Sequence, residues 1–168
     1  MSTAPAPLPT TVVPGPAISG VNGVASALSI NNEQMASFPF TIPDISTLPP
    51  GRKGQFHTIH FQTGDKTNAT PRIAGISKTS GDIPTPPVSG YTKGYSGPDA
   101  QWMNGAGGVQ QLACIIDGGS QVSFDQHVGL RLHCKTGDVW YVSFANRDAK
   151  GRPSSPNDAP ANVSVKAE

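Results

Sequence analysis

The stretch from Gly129 to Asn146 constrains the fold of this chain more than any other. In GLRLHC, Leu130, Leu132 and Cys134 alternate with Arg131 and His133, the period-two signature of a strand with one buried and one wet face. Lys135-Thr136-Gly137-Asp138 supplies a short connection with a glycine suited to positive φ. Val139 to Phe144 (VWYVSF) is then rich in the aromatic and β-branched residues that suit a pleated surface. Together they predict a β-hairpin, with Trp140, Val142 and Phe144 directed into the core.

Glycine and proline make the same argument for the rest of the chain. With 19 Gly and 17 Pro among 168 residues, apolar residues never recur at helical spacing over three turns without a breaker intervening. Strands are predicted at SFPFTI, where Pro39 restricts the strand to an edge or an irregular pairing, at Gln55–Gln62, at Arg72–Ser77 and at Val109–Asp117. QVSFDQHV and the terminal NVSVK are further candidates, while residues 21–36 read as a short strand or a helical turn. Val109–Asp117 is apolar on both faces, as a central strand would be. The tail from Arg147 to Pro160 is polar and Pro-rich. These six to eight short strands predict an all-β fold: a β-sandwich, with a jelly roll as one form of it and a barrel as the less favoured alternative. The sandwich would occupy residues 21–168 as a single domain, with a long loop at about 84–108.

Residues 1–20 form a Pro/Ala/Thr arm that is extended and builds no core of its own. A Pro-rich terminus is ordered when something ties it down, so this arm is expected to lie against a neighbouring subunit. It carries neither a basic n-region nor an uninterrupted apolar h-region, so no secretory signal is expected, and no run is long enough for membrane insertion. The net charge of +1, with Arg52-Lys53 as the closest basic cluster, argues against nucleic acid as a partner.

Cys114 shares a strand face with Leu112 and Ile116, and Cys134 shares one with Leu130 and Leu132. A disulfide between them would close a loop of about twenty residues and contribute roughly 3 kcal/mol; two buried thiols are the equal alternative. His57 and His60 are three apart and face opposite sides of a strand, and Asp125 and His127 lack a third ligand nearby, so no metal site is expected and no cofactor is implied. Gly94-Tyr95-Ser96-Gly97-Pro98 lacks the acidic residue and the upstream partners of a serine nucleophile, and Gly105-Ala106-Gly107-Gly108 lacks the end of a phosphate loop, so a non-catalytic protein is expected. One constellation has binding chemistry: Tyr91, Tyr95 and Trp102 interleaved with Asp99 and Asn104 in the long loop. Aromatic faces stack on sugar C–H groups while amides and carboxylates pair with hydroxyls, so these residues are the candidate platform for a cell-surface glycan. The competing reading, that they fold the loop onto the domain, is the favoured one.

Two pieces of sequence resemble a pattern in small uncharacterised proteins of bacteria and their phages. They are Ile76-Ser77-Lys78-Thr79-Ser80-Gly81-Asp82-Ile83, of the form IS-x-x-x-GD, and Cys134-Lys135-Thr136-Gly137-Asp138-Val139-Trp140-Tyr141-Val142, of the form C-x-x-G-x-x-YY followed by an apolar residue. The likeness covers about residues 50–146; Ser80 and Ile83 stand where the pattern usually has Pro and Phe. It implies a β-sandwich accessory module in a phage or bacterial-surface setting and transfers no catalytic residue. The expectation is a virion structural protein, a tail-tip, fibre or capsid-decoration subunit made in the host cytoplasm. It would be held to other virion proteins by its arm and assemble as a homo-oligomer, with a trimer favoured. The alternative is an extracellular or cell-surface adhesin, or a host-receptor-binding module that takes carbohydrate.

Overall fold

The computed structural model describes residues 7–20, 22–24, 28–41, 44, 57–63, 72–84, 101–104, 110–116, 121–125, 137–148, 150–153 and 159–167. These residues hold eleven strands and no helix, so the described chain is all-β. The strands are β1 (Thr11–Pro14), β2 (Asn22–Val24), β3 (Leu28–Ile30), β4 (Gln34–Thr41), β5 (His57–Thr63) and β6 (Arg72–Ser77). They continue as β7 (Gln101–Asn104), β8 (Gln110–Ile116), β9 (Gln121–Asp125), β10 (Val139–Ala145) and β11 (Ala159–Ala167). One sheet is six-stranded in the order β1-β4-β10-β6-β8-β7. The other runs β2-β11-β5-β9, with β3 pairing β11 as well. All described pairings are antiparallel except β1 with β4 and the bridge of Ile18 to Phe40.

The hairpin expected at Gly129–Asn146 falls partly outside the described residues, and its second strand, β10, is an inner strand of the six-stranded sheet. β10 pairs with β4 along its whole length and with β6 from Tyr141 to Ala145, so both of its edges are occupied over those residues by strands distant in sequence. Its expected partner, Gly129–Cys134, lies outside the described residues. Gly137 takes the expected positive φ, at 88°. The long loop is shorter than expected, because Gln101–Asn104 forms β7 at the far edge of the six-stranded sheet. β8 lies between β6 and β7, the central place that its two apolar faces predict.

Pro39 sits in the body of the sheet rather than at an edge. Ser37, Pro39 and Thr41 turn their main-chain groups toward the N-terminal segment: Gly15 N–H donates to Ser37 O (2.7 Å), Ile18 N–H to Pro39 O (2.8 Å) and Thr41 N–H to Ile18 O (3.3 Å). The N–H that proline lacks would have pointed to the same side. That is where β1 ends and the ladder lapses until Ile18.

The described core lies on the two faces of β4, β10 and β6. On one face the register aligns Phe38 with Val142 and Ile76, Ala36 with Phe144 and Ala74, and Phe40 with Trp140. All eight are buried, and the Phe38 and Phe144 rings meet edge to face at 6.1 Å, a contact worth about 0.5–1.5 kcal/mol beyond its buried area. On the opposite face Met35, Ala145 and Ile73 align and join Ile83, with Leu8 packed against them. Ser37, Ser143 and Gly75 form the next row.

Candidate functional site

The N-terminal segment is the part of the described molecule whose construction points furthest toward function. Residues 1–6 of the expected arm lie outside the described residues. From Pro7 onward the arm is extended, as its prolines dictate, and what ties it down is this chain's own β4. Thr11 to Pro14 run parallel to Gln34 to Ser37, and Ile18 restores the pairing beside Phe40.

Side chains fix the segment as firmly as the main chain does. Leu8 packs on the Met35, Ile73, Ile83 and Ala145 cluster. A Cβ built on Gly81 would come within 2.4 Å of Val12, so that turn can close over the segment only because position 81 carries no side chain. A Cβ on Gly15 would stand 2.4 Å from the Phe38 ring, and one on Gly23 would stand 2.3 Å from Ile18. Ile18 is itself buried.

The turn that covers β1 is pinned to the sheet through Ser37. Gly81 N–H donates to Ser37 Oγ at 3.1 Å, and the Ser143 and Ser80 hydroxyls stand 3.2 and 3.3 Å from the same oxygen. A hydroxyl has two lone pairs and one proton, so three partners satisfy it. Ser77 Oγ donates to Asp82 at 3.0 Å and accepts the Thr79 N–H at 3.0 Å. These serines act as staples for the turn.

A second polar cluster holds the corner where the chain passes from β3 to β4. Arg147, 7% exposed, donates from Nε and Nη2 to Asn32 O (3.0 and 2.8 Å) and from Nη1 to Gly151 O (3.2 Å). Asn146 Nδ2 donates to Asn32 Oδ1 at 2.6 Å, and Glu33 stands 3.8 Å from the guanidinium. Nothing in the sequence around Arg147 distinguishes it from the other charges of a polar tail, because its partners are main-chain oxygens that carry no sequence signature. At the other end of β10, Lys78 lies 5.7 Å over the Trp140 ring and 3.4 Å from Asp138. The buried Trp140 indole N–H has no hydrogen-bond partner among the described residues.

The sequence-predicted glycan platform is only partly within view. Trp102 and Asn104 occupy alternate positions of edge strand β7, opposite Leu112 and Gln110 of β8. Tyr91, Tyr95 and Asp99 lie outside the described residues. Cys114 is in β8, in register with Ala74 of β6, and Cys134 lies outside the described residues, so the proposed disulfide does too. His57 and His60 are in β5, opposite Ala167 and Ser164 of β11, while His127 and His133 lie outside the described residues. Among the described residues no group of three or more His, Cys, Asp or Glu is placed to hold a metal ion, and no helix is long and apolar enough to cross a membrane.

No family model matches the chain, and no curated protein matches it. A solved structure similar to it is that of Aeromonas hydrophila PliG, a periplasmic lysozyme inhibitor of g-type lysozyme. The two share 10% identity at a TM-score of 0.41, over 94% of this chain and 98% of that one. A likeness so distant bears on none of the residues described above.

Proposed function

We propose that the chain is a non-catalytic structural subunit of a virion, of the tail-tip, fibre or capsid-decoration kind. In this reading it is a two-sheet β-sandwich that takes its place among other virion proteins through its N-terminal segment. One observation carries it: the Pro-rich N-terminal stretch serves as a docking strand, β1, at a sheet edge, with Leu8 and Ile18 set into the molecule on either side of it. Main-chain pairing at an edge, with side chains in pockets, is a mode by which β-proteins take up a strand from outside themselves. The sandwich is supported by the approach of β3 and β11 to β4 and of β5 to β8, which belong to different sheets. The subunit would be made in the host cytoplasm and function as a symmetric homo-oligomer, with a trimer favoured. Quantitative mass spectrometry of purified particles and of the soluble fraction from the same host tests this. The chain is expected in the particles at a stoichiometry that matches a symmetric ring; its confinement to the soluble fraction refutes the reading.

A second reading is favoured by the position of Trp102 and Asn104 on edge strand β7. There the chain is a carbohydrate-binding adhesin or host-receptor module, and Tyr91, Tyr95, Trp102, Asp99 and Asn104 contact the sugar. A glycan array comparing the chain with Trp102→Ala decides it: binding to a defined glycan that the variant loses supports the reading, and identical featureless profiles remove it.

A further inference from the structure

Residues 7–18 are joined to the rest of the molecule by a short hinge and held to it by a set of separable sockets. β1 contributes four register pairs to β4, and once Pro39 interrupts the ladder, the Ile18 bridge alone restores it. Leu8, Val12 and Ile18 enter places shaped by the Met35 cluster, by Gly81 and by Gly23, and Gly15 lets the main chain lie on the Phe38 ring. Between Ile18, in contact with the six-stranded sheet, and Asn22, the first residue of β2 in the other sheet, stand three residues, of which Ser19 and Gly20 are exposed. Gly20 makes the reversal at φ 83°, with no atom within 4 Å of the place its Cβ would occupy.

We propose that the segment up to Ile18 is an exchangeable strand, which one copy of this chain lays on β4 of a second copy. The interaction surface is the β4 edge with its sockets, and the partner is the chain itself. Because both copies carry the same segment, exchange regenerates every contact of the closed form; the two forms differ in the hinge and in concentration. A short tether gives the closed form an effective concentration of about 1 mM, so exchange competes in that range or wherever copies are held side by side. Pro14 and Pro16 favour an extended conformation, which keeps the released segment rod-like and lowers the entropic cost of reaching a neighbour. This inference needs the β1–β4 geometry and not the virion reading, and its test contains no particle.

The experiment uses the full chain. Gly20→Pro locks φ near −65°, which excludes the closed hinge but leaves the extended one available. Light scattering from micromolar concentration to about 1 mM should show oligomers of the unaltered chain near the top of that range, and of Gly20→Pro at a concentration at least about tenfold lower. The second measurement keeps the natural hinge. Chains carrying Thr11→Cys are mixed with chains carrying Gln34→Cys, register partners of β1 and β4, at about 1 mM and oxidised. Mass spectrometry should find a peptide in which residue 11 of one chain is bonded to residue 34 of another. Monomers throughout for both the unaltered chain and Gly20→Pro overturn the proposal, and so do oligomers in which the mixed chains never join at these positions.

Discussion

At the level of Phe38, the two faces of the β4–β10–β6 core are both buried and are built from opposite materials. One carries Phe38, Phe40, Trp140, Val142, Phe144 and Ile76. In the row behind Phe38, the other carries Ser37, Ser143 and Gly75. The first is stabilised by apolar area removed from water, at about 25 cal/mol per Å². The second cannot be built that way, because backbone comes too close: the Gly81 turn lies on Val12 and donates its N–H to Ser37. Small hydroxyl side chains fill that space and also satisfy the groups that the turn buries. Bulk holds the aromatic face, whereas closeness and hydrogen bonding hold the serine row of the other, next to its apolar cluster of Met35, Ile73, Ile83 and Ala145.

Substitutions that treat the faces differently test this contrast. Phe38→Ala removes the ring that meets Phe144 and supports Gly15, and is expected to lower unfolding free energy by about 3–5 kcal/mol in urea titration. Ser37→Ala leaves Gly81 N–H without its acceptor and should cost about 1–3 kcal/mol. Its loss should also speed amide exchange at Gly81 and along β1, a response that Phe38→Ala shows only through global unfolding. If Ser37→Ala leaves β1 protection unchanged, the staple is not what holds the turn. Trp140→Phe keeps a ring on the aromatic face and removes an indole N–H that has no partner among the described residues, so it should cost about 1–2 kcal/mol in the same titration, less than Phe38→Ala. The smallest effect belongs to Lys78→Ala. Its ion pair with Asp138 joins side chains 38% and 26% exposed, so a loss of about 0–1 kcal/mol is expected, shrinking further when the melt is repeated in high salt.

The legibility of the sequence follows the same division. Alternating aromatic and β-branched residues announce an inward row, and Trp140, Val142 and Phe144 are buried as their spacing predicts. Ser37 and Ser143 belong to strands equally, but a serine in a strand reads as solvent-facing, and only a turn folding back from position 81 puts it inside. Pro39 marks where pairing fails without saying which neighbour is affected. Of the glycan candidates, the strand at Trp102 and Asn104 was hidden by a Gly- and Pro-rich composition that reads as loop.

The arm and the central strand show where local information stops. By itself the sequence determined that the described residues are built of strands, that the N-terminal segment paired with β4 is extended, and that Trp140, Val142 and Phe144 face inward. These properties depend on proline stereochemistry and on a period of two residues. Which strands become neighbours was decided only in three dimensions. β10 lies between β4 and β6, and β1 lies on β4, because pairing between distant segments is chosen by burying both faces of one sheet together. No window of local sequence contains that sum.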